Sequence, residues 1–108
     1  MTLNAGQLEQ YVSASRARFE DLLGQMVEIP SISMDPEKSN DIRRMAETAA
    51  QVLKNFGAEA RLVETGGYPI VSGGWMSDVR HPIVTVYNHM DVQPAQEPEW
   101  KQEPFVFK

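Results

Sequence analysis

Apolar residues in the first half of the chain recur at helical spacing. Leu8, Tyr11, Val12, Ser15, Phe19, Leu22, Leu23, Met26 and Val27 follow one another by steps that keep a single face, while Ser13, Arg16, Arg18, Glu20 and Asp21 lie largely off it. The pattern predicts a helix from about Ala5 to Glu28. It stops ahead of Pro30, because a residue that precedes proline avoids the helical region. Ser31 to Glu37 is a polar connection containing Pro36. A second stripe, Ile42, Met45, Ala46, Ala49, Val52, Leu53 and Phe56, predicts another helix. Ser39 or Asn40 is expected to cap its start, and Lys54 in the last turn followed by Gly57 marks its end.

The second half changes to strand patterning. Ala60–Glu64 and Ile70–Met76 are candidate strands separated by a Thr65-Gly66-Gly67 turn, the second one weakened by Gly73-Gly74. Ser77–Pro82 turns the chain back. Ile83–Tyr87 is then the clearest strand, β-branched, aromatic and nearly continuous, and is expected to lie buried on both faces. Region 70–88 therefore reads as an antiparallel hairpin feeding a layered sheet. The fold class expected is α/β: a partial three-layer α/β/α domain with a mixed sheet, two N-terminal helices and then a β-hairpin. From Asp91 onward Pro94, Pro98 and Pro104 break any periodicity. This part reads as an ordered loop, since Trp100, Phe105 and Phe107 need packing partners.

Length and charge narrow the functional classes. At 108 residues the chain is long enough for one small domain and too short for two. Its net charge of -5 opposes nucleic acid and anionic membrane surfaces as partners, both of which require a basic patch. No apolar run is long enough for a membrane span. Met1–Gln7 has neither the basic residue nor the apolar core of a secretory signal. Cysteine is absent, so no thiol serves as nucleophile, ligand or cross-link. A cytoplasmic location is the expectation.

Candidate chemistry lies where the last strand ends, at His89 and Asp91. On an extended backbone these two positions share a face. One ring nitrogen is then available to a metal, while the carboxylate holds the ring and fixes its tautomer. Without the metal reading, His89 is a strand-end histidine bonded in a turn and Asp91 caps the next turn. His81, Glu97, Glu99 and Glu103 read as surface residues; recruiting them as ligands would require the loop to fold back.

The longer string around the pair is more specific. Tyr87-Asn88-His89-Met90-Asp91-Val92-Gln93-Pro94-Ala95, then Glu97-Pro98-Glu99-Trp100 and Pro104-Phe105, closely resembles the co-catalytic zinc metallopeptidase family. That family contains carnosinase-like dipeptidases, aminoacylases, succinyl-diaminopimelate desuccinylase and glutamate carboxypeptidase, and the downstream segment is similar to the dipeptidase branch. Val27-Glu28-Ile29-Pro30-Ser31-Ile32-Ser33 and Phe56-Gly57 resemble the same family in order. The resemblance implies that His89 ligates one of two zinc ions, with manganese or cobalt as alternatives, and that Asp91 is the active-site acid clamping it. The implied substrate is a dipeptide or an N-acyl amino acid. It also implies that residues 1–108 are the N-terminal portion of a catalytic domain, with the general base, the remaining ligands and a dimerisation domain elsewhere. The chain alone is then expected to bind zinc poorly, to hydrolyse nothing and to self-associate. The alternatives are a non-catalytic α/β association module and a metal-free relative.

Overall fold

The computed structural model describes residues 2–108. The first helix, α1, runs over Ala5–Val27, with Glu28 as its C-cap. Its start is fixed by a feature the apolar pattern does not signal. Asn4 Oδ1 accepts from the Gln7 amide at 2.9 Å and Gln7 Oε1 accepts from the Asn4 amide at 3.0 Å, a reciprocal capping box. The face read from the sequence is present but poorly covered. Gly24 is buried, Leu22 and Met26 are half-buried, and Leu8, Tyr11, Val12 and Phe19 are exposed.

A 3₁₀ turn at Pro36–Lys38 leads directly into α2, Ser39–Asn55. Asp35 Oδ1 accepts from the Glu37 amide at 3.0 Å. Neither Ser39 nor Asn40 caps α2, contrary to the sequence expectation, and no side chain among the described residues does so. The reason is local: the turn has already begun at Pro36, whose carbonyl accepts from the Ser39 amide. The α2 stripe is fully covered only over its first half: Ala49, Val52 and Leu53 are half-buried, Phe56 is exposed, and Ala50, outside the predicted stripe, is buried. Ile42, Met45, Ala46 and Ala50 are buried, Ala46 completely, and with Ile29, Ile32 and Ala58 they make the core.

This core lies between α2 and a two-stranded antiparallel sheet. Strand β1 is Glu59–Val63 and strand β2 is Ile70–Gly74, with Glu59 opposite Gly74 and Val63 opposite Ile70. Thr65 fastens the connection: its hydroxyl accepts from the Gly67 amide at 3.0 Å and donates to the Tyr68 carbonyl at 2.8 Å. Between α2 and β1 the chain reverses through Gly57 at φ +86°, a conformation in which a Cβ is strained. Gly57→Ala is expected to cost about 1–2 kcal/mol in urea denaturation, with the slope against denaturant unchanged.

The α/β class, with two helices followed by an antiparallel hairpin, is thus the observed architecture. The position of the hairpin differs from the sequence reading. It joins residues 59–63 to 70–74, and not 70–76 to 83–87. Ile83–Tyr87 has no ladder partner among the described residues, and Ile83, Val84, Val86 and Tyr87 are 76–90% exposed. β-Branched and aromatic composition states a preference for a pleated, half-buried surface. A ladder needs a neighbouring strand as well. The short 64–69 connection closes β1 onto β2 at low entropic cost.

The C-terminal segment returns to α1. The Phe107 ring sits over Gly24 so closely that a Cβ there would lie 2.7 Å from Cδ1. Phe107 packs one face of its ring on α1 and stays 38% exposed, while Phe105 is half-buried. Trp100 is 55% exposed and donates its Nε1–H to Glu97 Oε2 at 3.0 Å.

Candidate functional site

The His89–Asp91 segment is set by the loop that follows α1. Ile29 and Ile32 are buried and pin that loop to the core. Ile32 pairs with Val92 in an isolated parallel bridge, in which the Val92 amide donates to the Ser31 carbonyl at 3.0 Å. Ser31, fully buried, donates its hydroxyl to the Met90 carbonyl at 3.1 Å. Two segments almost sixty residues apart in sequence are thereby held side by side. Burial makes the Ser31 bond matter, since a buried hydroxyl without a partner costs about 1–3 kcal/mol.

His89 and Asp91 come together as the i, i+2 spacing predicts. His89 Nδ1 is 3.2 Å from Asp91 Oδ1 and 3.1 Å from the Asp91 carbonyl oxygen. Both of those atoms are acceptors once the carboxyl is ionised. The contact therefore requires the proton on Nδ1, which leaves the lone pair on Nε2. Among the described residues Nε2 has no hydrogen-bond partner, and the side chain is 79% exposed. Asp91 is 41% exposed, and its second oxygen, Oδ2, accepts from the Ser33 hydroxyl at 2.6 Å. That hydroxyl is the main reason why the Asp91 carboxyl is held below its ordinary value. Partial desolvation opposes it, while the residue's own amide and His89 add to it. The carboxylate is accordingly ionised at neutral pH and ready to accept from the ring.

No role for Ser31, Ser33 or Tyr68 is read from the sequence, although Ser31 and Ser33 lie within the string that resembles the family. Tyr68 donates its hydroxyl to the Ser33 carbonyl at 2.8 Å, which ties the β1–β2 connection to the same loop. A signal was available in the polar–apolar–polar alternation Ser31-Ile32-Ser33, which places both hydroxyls on one side of an extended segment. The other titratable candidates stay apart. His81 is an exposed turn residue whose amide donates to the Asp78 carbonyl at 3.1 Å, and Glu97, Glu99 and Glu103 are exposed. Arg43 is committed to Glu64 through two contacts of 2.8 and 2.9 Å.

No family model matches the chain. Individual proteins do. It is 28% identical over 117 residues to the Cys-Gly metallodipeptidase dug1 of Schizosaccharomyces pombe, an alignment covering 98% of this chain and 25% of that protein. It is 31% identical over 120 residues to the Beta-Ala-His dipeptidase of Rattus norvegicus, covering 95% of this chain and 24% of that protein. A third relative, the Cys-Gly metallodipeptidase DUG1 of Candida albicans, is 33% identical over 105 residues, with 84% and 22% covered. The chain is a homologue of metallodipeptidases. It spans about a quarter of the length of the curated relatives it matches.

For a metallodipeptidase homologue the first question is whether its residues fit a metal. The exposed His89 ring, with Nδ1 engaged by a carboxylate and Nε2 free of partners among the described residues, has the chemistry of one ligand with its orienting acid. A catalytic zinc takes about three protein ligands. Among the described residues no three histidine, cysteine, aspartate or glutamate side chains are grouped to hold an ion. The fit is to one coordination position, not to a whole site. No helix among the described residues is long and apolar enough to cross a membrane.

Proposed function

We propose that this chain supplies one metal-ligand position, His89, and its orienting acid, Asp91, to a zinc-dependent dipeptidase whose other ligands and general base lie outside the 108 residues. The observation that carries this reading is the His89 Nδ1–Asp91 Oδ1 contact of 3.2 Å on an exposed ring. Curated relatives named for dipeptide hydrolysis support it. The substrate class is a dipeptide of the Cys-Gly or β-Ala-His kind, or a related N-acyl amino acid. When bound, a metal pair supplies amide hydrolysis with an activated water and a polarised carbonyl. The part played by this chain is narrower. Asp91 keeps the ring proton on Nδ1, so that Nε2 offers a lone pair without any need to lose a proton. Zinc is the expected ion, with manganese or cobalt as substitutes, since one imidazole does not select among them.

The 108-residue chain alone is expected to hydrolyse neither Cys-Gly nor β-Ala-His and to bind zinc weakly in calorimetric titration. The polypeptide extended by its downstream coding sequence is expected to cleave at least one of them, and a chelator should stop it. Chelator-sensitive hydrolysis by residues 1–108 alone would refute the division of the site. A second reading, a non-catalytic module that associates with itself through an unpaired strand, is favoured by the exposure of Ile83–Tyr87. Hydrolysis by the extended polypeptide rejects it.

A further inference from the structure

We propose that Ser33 is a positioning residue, whose hydroxyl fixes the Asp91 carboxylate and through it the tautomer of His89. The inference rests on the proposed ligand role of His89 and concerns what holds that ring ready.

The terminal torsion of an aspartate is broad and roughly two-fold, so a carboxylate that is nearly half exposed does not choose its own plane. Here its two oxygens are engaged separately. Oδ2 lies 2.6 Å from Ser33 Oγ and Oδ1 lies 3.2 Å from His89 Nδ1. The first distance is that of a strong charge-assisted O–H···O⁻ bond, and the second is at the long end for N–H···O. Asp91 is therefore tied more firmly to Ser33 than to the ring it orients. Without the hydroxyl, the only side-chain contact left to the carboxylate among the described residues is the weaker of the two.

Ser33 is itself immobilised. Its carbonyl accepts from Tyr68 Oη at 2.8 Å, and its neighbour Ile32 is bridged to Val92 on the segment that carries Asp91. The Ser33 hydroxyl therefore reaches Asp91 from a support anchored both to the hairpin connection and to the core.

The test uses ring-nitrogen NMR shifts of the two histidines in the 108-residue chain, without metal, at a pH where both are neutral. His81 serves as the exposed internal reference. In the unmodified chain His89 is expected to be mainly the Nδ1–H form. Ser33→Ala and Ser33→Val remove the hydroxyl, and each is expected to shift His89 measurably towards the tautomer balance of His81, short of reaching it because the Asp91 carbonyl at 3.1 Å still accepts from Nδ1. Ser33→Thr keeps a hydroxyl and should keep the Nδ1–H majority. Two hydroxyl-free variants are included so that one failing to fold leaves the other to decide. Ser31→Ala loosens the same loop contact without touching the carboxylate, and His89 should be unmoved. An unchanged His89 in a folded hydroxyl-free variant overturns the proposal, as does a Ser31→Ala chain that shifts as far as Ser33→Ala. Asp91→Asn separates the two levels. If it shifts His89 while the Ser33 variants do not, only the role of Ser33 falls; if it too leaves His89 unchanged, the pairing behind the proposed function falls.

Discussion

Replacing His89 with alanine in the polypeptide extended by its downstream sequence is expected to lower dipeptide hydrolysis by at least about 100-fold, the upper end of what loss of an orienting partner costs. The effect should be larger than that of any substitution at His81, Glu97, Glu99 or Glu103, which are exposed and apart from the site. Asp91→Asn should give a graded loss of about 10–100-fold in activity or metal affinity. An amide at position 91 can present its NH₂ to Nδ1 and so favour the wrong tautomer, or present its oxygen without the charge. Steady-state kinetics at fixed free zinc, together with metal content by mass spectrometry, distinguish the two variants. His89→Ala should lose metal and activity together. Asp91→Asn should recover part of its activity as zinc is raised. Full activity and full metal content in His89→Ala would remove the ligand assignment.

Ile42→Ala is expected to destabilise the fold by about 2–5 kcal/mol, the range for truncating a buried isoleucine. Ile42 lies in the small core between α2 and the β1–β2 sheet, beside Met45 and the completely buried Ala46. Few buried side chains share the load. The Cα radius of gyration is 16.9 Å, against about 13 Å for a typical domain near this length, so apolar area is spread thinly. Since domains are stable by only about 5–15 kcal/mol, the loss should be plain as a lower midpoint in urea followed by circular dichroism. Tyr87→Ser provides the contrast. That residue is 90% exposed despite its apolar surroundings in sequence, and its replacement should stay within about 0.5 kcal/mol. A Tyr87 effect as large as that of Ile42 would mean that segment 83–87 is covered in solution.

The elements were legible from the sequence where their cause is local. Helical spacing gave both helices within a residue or so of their ends, because steps of three and four describe a helix whatever it packs against. The i, i+2 relation gave the His89–Asp91 contact for the same reason. What burial does with those faces could not be read. The α1 stripe was legible as a face but not as an uncovered one, and Ile83–Tyr87 was legible as strand-like but not as unpaired. Coverage and pairing depend on a second segment, and composition at one position carries no information about its neighbour in space. The loop after α1 shows this most clearly. As sequence, Ser31-Ile32-Ser33 is a polar connection. Only the tertiary fold lays it beside Met90–Val92, places one hydroxyl on the Met90 carbonyl and the other on the Asp91 carboxylate, and so decides how the imidazole is held. The sequence by itself determined that His89 and Asp91 meet; the packing of Ile29 and Ile32 into the core determined what steadies them, because a hydrogen bond across almost sixty residues exists only after the chain between has folded.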